Sequence, residues 1–283
     1  MLLKDFIREG CKALASVYSE REARSMVLRL CEERLGVKSY THLTEPDTEI
    51  PESALPGLQN DLLRLSVAEP LQYVLGYADF CGRRFKVSPA VLIPRPETEQ
   101  LAEMAVKAAT TAGAGARVLD LCTGSGCIAW TVKKEVPGVE VVAVDISREA
   151  LDVARRQFDG PAPDFVRCDV LDKEAPHGFD VGFDIIVSNP PYIMEGEKRL
   201  MCRNVLDYEP SLALFVPDDD PLVFYRALAV WAVSCLKKGG AGFVEINEQL
   251  GDQTADIFRG AGFSQVSLIT DFCNKIRFIS FCK

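Results

Sequence analysis

The stretch Arg117-Val118-Leu119-Asp120-Leu121-Cys122-Thr123-Gly124-Ser125-Gly126-Cys127-Ile128-Ala129 runs from an apolar strand-type segment, through a turn of small residues, into the start of a helix. Small residues at such a turn let a ligand approach the backbone and the helix N-terminus. Outward from it, strand-type and helix-type segments alternate to the end of the chain, the pattern of a mainly parallel, doubly wound α/β sheet. Strands are expected at Arg117–Leu121, Val141–Val144, Asp164–Cys168 and Phe183–Ser188. Ligands in such sheets lie outside the carboxyl ends of the strands. Cys122 to Gly126, Asp145, Asp169 and Asn189 all fall there, with Asp145 placed to bind the two hydroxyls of a ribose.

The last of these strands continues as Ser188-Asn189-Pro190-Pro191-Tyr192. Neither proline can donate to a sheet ladder, and the residue before each is pushed into extended geometry, so the strand ends here on a stiff turn. Such a turn can present the Asn189 side-chain oxygen and the Pro190 carbonyl side by side as acceptors, a pair suited to a planar –NH2 group. Tyr192 can stack on the plane that carries that group.

Upstream, residues 1–75 read as a small all-helical domain. Leu3, Phe6, Ile7, Cys11 and Leu14 recur at helical spacing. Ser19 and Glu22 form a capping box for a second helix that stops at Gly36, and a third is expected between Pro51 and Val67. Short strands at Tyr77–Phe80 and Arg84–Val87 around a Cys81-Gly82 turn make residues 76–93 a β-hairpin linker. Residues 94–283 then form the main domain. In Ile93-Pro94-Arg95-Pro96-Glu97-Thr98-Glu99, the prolines hold Arg95 in a loop before a helix that begins near Glu97.

At 283 residues, the chain has room for this core domain and a small companion. Its 41 acidic and 32 basic residues give a net charge of −9, which opposes non-specific binding to nucleic acid. The 10 cysteines form no C-x-x-C pair, and His42 and His177 are the only histidines, so neither a zinc site nor a disulfide framework is suggested. Free thiols in apolar runs suit a reducing compartment. No uncharged apolar run reaches the roughly 18 residues of a membrane span. A cytoplasmic protein is expected, with no membrane association and no metal.

Gly124-x-Gly126-x-x-Ala129 followed by Asp145 also fits the dinucleotide fingerprint, so a nicotinamide dehydrogenase is a rival. Hydride transfer would need a proton donor or acceptor, and the later segments show no well-placed His or Lys. Asp120-x-Cys-x-Gly-x-Gly resembles instead the motif of S-adenosylmethionine-dependent methyltransferases. The wider resemblance is to the release factor glutamine methyltransferases, the HemK-like (PrmC) family. It rests on Gln72-Tyr73-Val74-Leu75-Gly76, Phe85-Lys86-Val87-Ser88-Pro89, Val91-Leu92-Ile93-Pro94-Arg95-Pro96-Glu97-Thr98-Glu99, Asn189-Pro190-Pro191-Tyr192-Ile193 and Glu209-Pro210-x-Leu212-Ala213-Leu214.

The resemblance implies a class I methyltransferase fold, a Rossmann-like seven-stranded sheet, beside the helical N-terminal domain. It implies S-adenosyl-L-methionine as cofactor, with Cys122, Thr123, Gly124, Ser125 and Gly126 around its methionine part, Asp145 on the ribose, Asp169 and Val170 near the adenine, and Asn189 adjoining. It implies as substrate the glutamine side-chain amide in the Gly-Gly-Gln motif of peptide chain release factors. Asn189, Pro190 and Tyr192 would be catalytic, with Pro191, Arg95 and Glu209 helping to form the substrate site. A monomer that binds no nucleic acid directly is expected. The alternative is an amino-methyltransferase acting on nucleic acid bases, which would need a basic groove. A protein that binds the cofactor without turnover is a third class, disfavoured by the intact Asn-Pro-Pro-Tyr turn. Two departures stand out: Cys122 replaces a usual glycine, and Phe215-Val216-Pro217-Asp218-Asp219-Asp220-Pro221 lacks the usual glycines.

Overall fold

The apolar periodicities close into two units, which the computed structural model describes over residues 1–172, 179 and 182–283. The first unit comprises Met1–Tyr77 and the short segment Cys202–Tyr208. Its helices Leu3–Leu14, Glu20–Leu35 and Leu55–Ser66 bury Phe6, Leu14, Val27, Leu30, Leu58 and Leu65 in one core. Ser19 Oγ accepts the Glu22 N–H at 3.3 Å, and the Ser19 hydroxyl meets the Glu22 carboxylate at 3.4 Å rather than closing a reciprocal backbone bond. The second helix ends at Gly36, in the left-handed region that a residue without Cβ adopts at least cost. Buried Asp61 is held by Arg34 at 2.7 Å. A buried carboxylate needs such a partner.

The second unit, Ala78–Met201 and Glu209–Lys283, carries the sheet. Strands β1 (Tyr77–Phe80) and β2 (Arg83–Lys86) form the hairpin. Cys81 and Gly82, both at positive φ (46° and 70°), make the tight turn whose twist matches paired strands. Then come β3 (Arg117–Leu121), β4 (Glu140–Asp145), β5 (Asp164–Arg167) and β6 (Phe183–Ser188), and a small parallel pair, β7 (Ile193–Met194) with β8 (Phe215–Val216). Strands β9 (Leu236–Glu245), β10 (Ser264–Thr270) and β11 (Ile276–Cys282) complete a seven-stranded sheet of order β10-β11-β9-β6-β3-β4-β5. Strand β11 runs antiparallel to both neighbours, while β9, β6, β3, β4 and β5 are parallel.

Both faces of this sheet are covered, and the period-two alternation of the central strands divides between them. Val118, Ile185 and Val187 pack under the helices Pro96–Ala112 and Cys127–Glu135, with Trp130. Leu119, Leu121 and Ile186 pack on the other face with Tyr225, Trp231 and Phe258. The order reverses at β3 and β6, whose carboxyl ends therefore open a crevice. The run Phe215–Pro221 is ordered by β8 and by Asp218, which accepts the Gly196 N–H at 2.8 Å.

Candidate active site

At the end of β3 the chain turns back over its own strand ends. Thr123 N–H donates to the Val144 carbonyl at 2.9 Å, and Gly124 N–H to Asp145 Oδ2 at 2.8 Å. Cys122 turns at φ 61°, in the left-handed region where glycine is the easier residue. Its half-buried thiol is pushed well above the usual range, by burial first and then by the Asp145 and Asp120 carboxylates. Gly126, at φ 78°, caps the helix Cys127–Glu135; a Cβ there would crowd Ala154 and Trp130 at 3.1 and 3.2 Å. Asp120 braces the turn from within, where its Oδ2 accepts the Thr123 hydroxyl at 2.6 Å and the Ala129 N–H at 3.2 Å. Its other oxygen is buried without a partner among the described residues. Burial pushes its carboxyl up to about 7.

These elements wall a cleft of about 200 Å³. Cys122, Thr123, Gly124 and Ser125 form one side. Asp145, Asp169 and apolar Ile146, Val170 and Leu171 line the next strand ends. Asp145 Oδ1 accepts the Ser147 N–H at 2.9 Å, so both oxygens hold backbone donors, while burial raises its carboxyl. Asp169 accepts the Leu171 N–H at 2.9 Å. The opposite side comes from Val91, Leu92, Pro94, Arg95 and Thr98, together with Asn189, Pro191, Leu212 and Phe224. Gly126, Pro190, Tyr192 and Glu209 are not among the residues that line this cleft. Glu209 is buried and acts as a clamp, accepting the Ile93 N–H at 3.0 Å and pairing with Arg95 at 2.6 Å.

Asn189 is held in one orientation. The buried Thr98 hydroxyl donates its single proton to Glu245 Oε2 at 2.8 Å, so Thr98 can only accept from Asn189, whose Nδ2 lies at 3.2 Å. The amide oxygen then points away from Thr98, and neither it nor the Pro190 carbonyl has a donor among the described residues. Tyr192 donates its hydroxyl to Glu245 Oε1 at 3.0 Å, and its ring packs against the core. Burial pushes Glu245 up to about 7 and, with Glu245 beside it, raises Tyr192 well above its ordinary value.

Thr98 and Glu245 carry no assigned role in the sequence reading, though each leaves a signal. Thr98 opens the buried stripe Thr98, Leu101, Ala102, Ala105, Ala109, and a hydroxyl on an apolar stripe demands a partner. Glu245 sits inside the apolar run Phe243-Val244-Glu245-Ile246, where an acid stays buried only if paired. Among the described residues, no group of three or more His, Cys, Asp or Glu could hold a metal ion, and no helix is long and apolar enough to cross a membrane. His177 lies outside the described residues.

A cleft with carboxylates at two strand ends, apolar walls between them and a small-residue turn suits a nucleoside joined to a charged amino acid. Comparison with known proteins agrees. Residues 5–76 match the family described as PrmC N-terminal domain, and residues 98–206 match Methyltransferase small domain. The chain is 41% identical over 272 residues to the release factor glutamine methyltransferase of Bacteroides thetaiotaomicron, covering 95% of this chain and 96% of that one. It is 36% identical over 283 residues to the release factor glutamine methyltransferase of Flavobacterium psychrophilum, covering 99% and 98%. The crystal structure of a methyltransferase from Pyrococcus furiosus shares the fold at TM-score 0.52 and 19% identity, over 80% of this chain and 98% of that one. With similarity of this extent running through both the helical unit and the sheet unit, the chain belongs to the release factor glutamine methyltransferase family.

Proposed function

We propose that the protein transfers a methyl group from S-adenosyl-L-methionine to the side-chain amide nitrogen of the glutamine in the Gly-Gly-Gln motif of peptide chain release factors. The observation that carries this reading is the acceptor pair at the end of β6: Asn189 Oδ1, turned outward by Thr98, and the donor-free Pro190 carbonyl.

Asp145 would hold the ribose hydroxyls, Asp169 and Val170 would flank the adenine, and the Cys122–Gly126 turn over Asp120 would take the amino acid part. The cofactor, when bound, supplies a methyl group already activated by a sulfonium. The nitrogen is the harder partner, because its lone pair is delocalised into the carbonyl. Acceptance of its two hydrogens by Asn189 and Pro190 orients the amide and favours pyramidal nitrogen as the new bond forms. Positioning of this kind can supply several of the roughly 7–11 kcal/mol available from alignment. No charged base is required before transfer, since the methylated nitrogen is acidic and can lose its proton to water. Tyr192, anchored on Glu245, would support the amide plane, with Pro191 beside it. Arg95, fixed by Glu209, would shape the entrance.

The test is to incubate the protein with labelled S-adenosyl-L-methionine and a release factor, and to locate the added methyl by mass spectrometry. A factor with Gly-Gly-Gln changed to Gly-Gly-Ala serves as control. Methyl on the glutamine and none on the control is expected; intact cofactor binding without transfer would overturn the assignment of substrate. Asn189→Ala should lower kcat by about 100-fold or more while leaving cofactor affinity within a few-fold. A normal kcat in that variant would remove Asn189 from the chemistry.

A further inference from the structure

The acceptor role of Asn189 requires a particular face of its amide, and the amide alone does not choose one. Its oxygen and nitrogen are nearly equal in size, so only hydrogen bonding distinguishes the two orientations. The choice is made one and two side chains away. Register brings the parts together: Ser188 in β6 pairs with Val244 in β9, so Glu245 comes alongside Asn189, and Thr98 reaches both from the first turn of the helix Pro96–Ala112.

We propose that Thr98 and Glu245 are positioning residues for the transfer: the ionised Glu245 carboxylate takes the Thr98 proton, leaves Thr98 only an acceptor, and so keeps the Asn189 oxygen facing the substrate. The inference rests on the methyl-transfer reading and adds to it a proton-dependent state of the site. When Glu245 is protonated, its proton goes to Oε2. Thr98 has a replacement acceptor in Asn189 Oδ1, while the Tyr192 hydroxyl keeps its bond to Oε1. Thr98 then accepts from Glu245 and donates to Asn189, whose amide turns over. The NH2 group of Asn189 now meets the NH2 group of the incoming glutamine, donor against donor, and transfer stops.

The groups facing Glu245 come from each element packed on it. Thr98 and the more distant Glu97 come from the helix, Tyr192 from the turn after β6, and Arg277 from β11. Tyr225, from the helix Val223–Cys235, donates to the Glu245 backbone carbonyl at 3.5 Å. Arg277 favours the ionised form, but it also serves Asp271 at 3.4 Å and Glu248 at 3.7 Å. Burial outweighs it and places the titration at about 7, so activity is held above that pH and lost as pH falls through it.

The experiment measures kcat between about pH 5.5 and 9 at saturating cofactor and release factor, for wild type, Thr98→Val, Thr98→Ser and Glu245→Gln. Wild type should lose activity on an acid limb centred near 7. Thr98→Val should lower kcat about 10-fold or more at the alkaline end, flatten the limb, and leave KM and cofactor affinity within about threefold. Thr98→Ser should restore both rate and limb, and Glu245→Gln should show no limb. A Thr98→Val enzyme within about twofold of wild type, one that keeps the acid limb, or a Thr98→Ser enzyme no better than Thr98→Val would overturn the proposal. A second readout does not depend on turnover. The side-chain amide resonance of Asn189, followed by 15N NMR in the full chain, should titrate with Glu245 in wild type and stay flat in Glu245→Gln. If wild type methylates no glutamine, the activity assignment falls and this titration still decides the proposal; a flat wild-type resonance overturns it.

Discussion

Asp145 shows how one side chain can brace a turn and still line a cleft. Its two oxygens hold the Gly124 and Ser147 N–H groups at 2.8 and 2.9 Å, yet a carboxylate has about four acceptor sites, so hydroxyl donors can still be taken. Asp145→Ala should weaken S-adenosyl-L-methionine binding by roughly 10–100-fold, as expected for loss of charged hydrogen bonds of about 1.5–3 kcal/mol. Calorimetry that returned unchanged affinity would move the ribose away from the end of β4. Asp145 and Asn189 were legible in the sequence because each follows an apolar strand, and strand ends in doubly wound sheets face the ligand. Thr98 and Glu245 were not. They are separated from Asn189 by 91 and 56 positions, and their importance comes from a hydrogen-bond chain that exists only once β9 lies beside β6.

Among the elements, β9 depends most on a residue without a side chain. Gly242 lies opposite Phe281 in the β9–β11 register, and a Cβ there would overlap the Phe281 ring. That ring cannot swing away, being stacked on Phe258 at 4.3 Å and packed against Phe263 at 4.7 Å. Gly242→Ala should therefore destabilise the sheet unit by about 1–3 kcal/mol, the usual cost of overpacking, read as a lower urea midpoint with the m-value unchanged. Stability equal to wild type would show that the ring can find a second rotamer. The helices Leu3–Leu14 and Glu20–Leu35 and the strands β3 and β6 lie where apolar periodicity placed them. The short helix Leu71–Leu75 and the small β7–β8 pair gave no such sign, since elements of five and two residues are shorter than the periodicity that would reveal them.

For the whole molecule, the net charge of −9 opposes non-specific binding to nucleic acid. Affinity for DNA or RNA grows with the number of phosphates neutralised, and an acidic chain begins with a repulsive term. The protein should show no retention of duplex DNA in a mobility-shift assay at about 150 mM salt, where even basic non-specific binders have a Kd of roughly 10⁻⁴–10⁻⁶ M. Tight retention there would bring back the base amino-methyltransferase as the leading alternative, since the Asn-Pro-Pro-Tyr turn by itself suits an exocyclic amine as well as an amide.

The sequence by itself determined the α/β class and the helical unit, and it singled out the strand ends that border the cleft and Asn189 and Pro190 as candidate acceptors. Each of these is written in local pattern: apolar period, glycine at a turn, proline at a strand end. Only the tertiary structure decided which way the Asn189 amide is turned, how Asp120 comes to be buried with one oxygen unpaired among the described residues, and how Glu209 fixes Arg95. These depend on which strands become neighbours and on what burial does to a carboxylate, and neither is a property of any one stretch of chain.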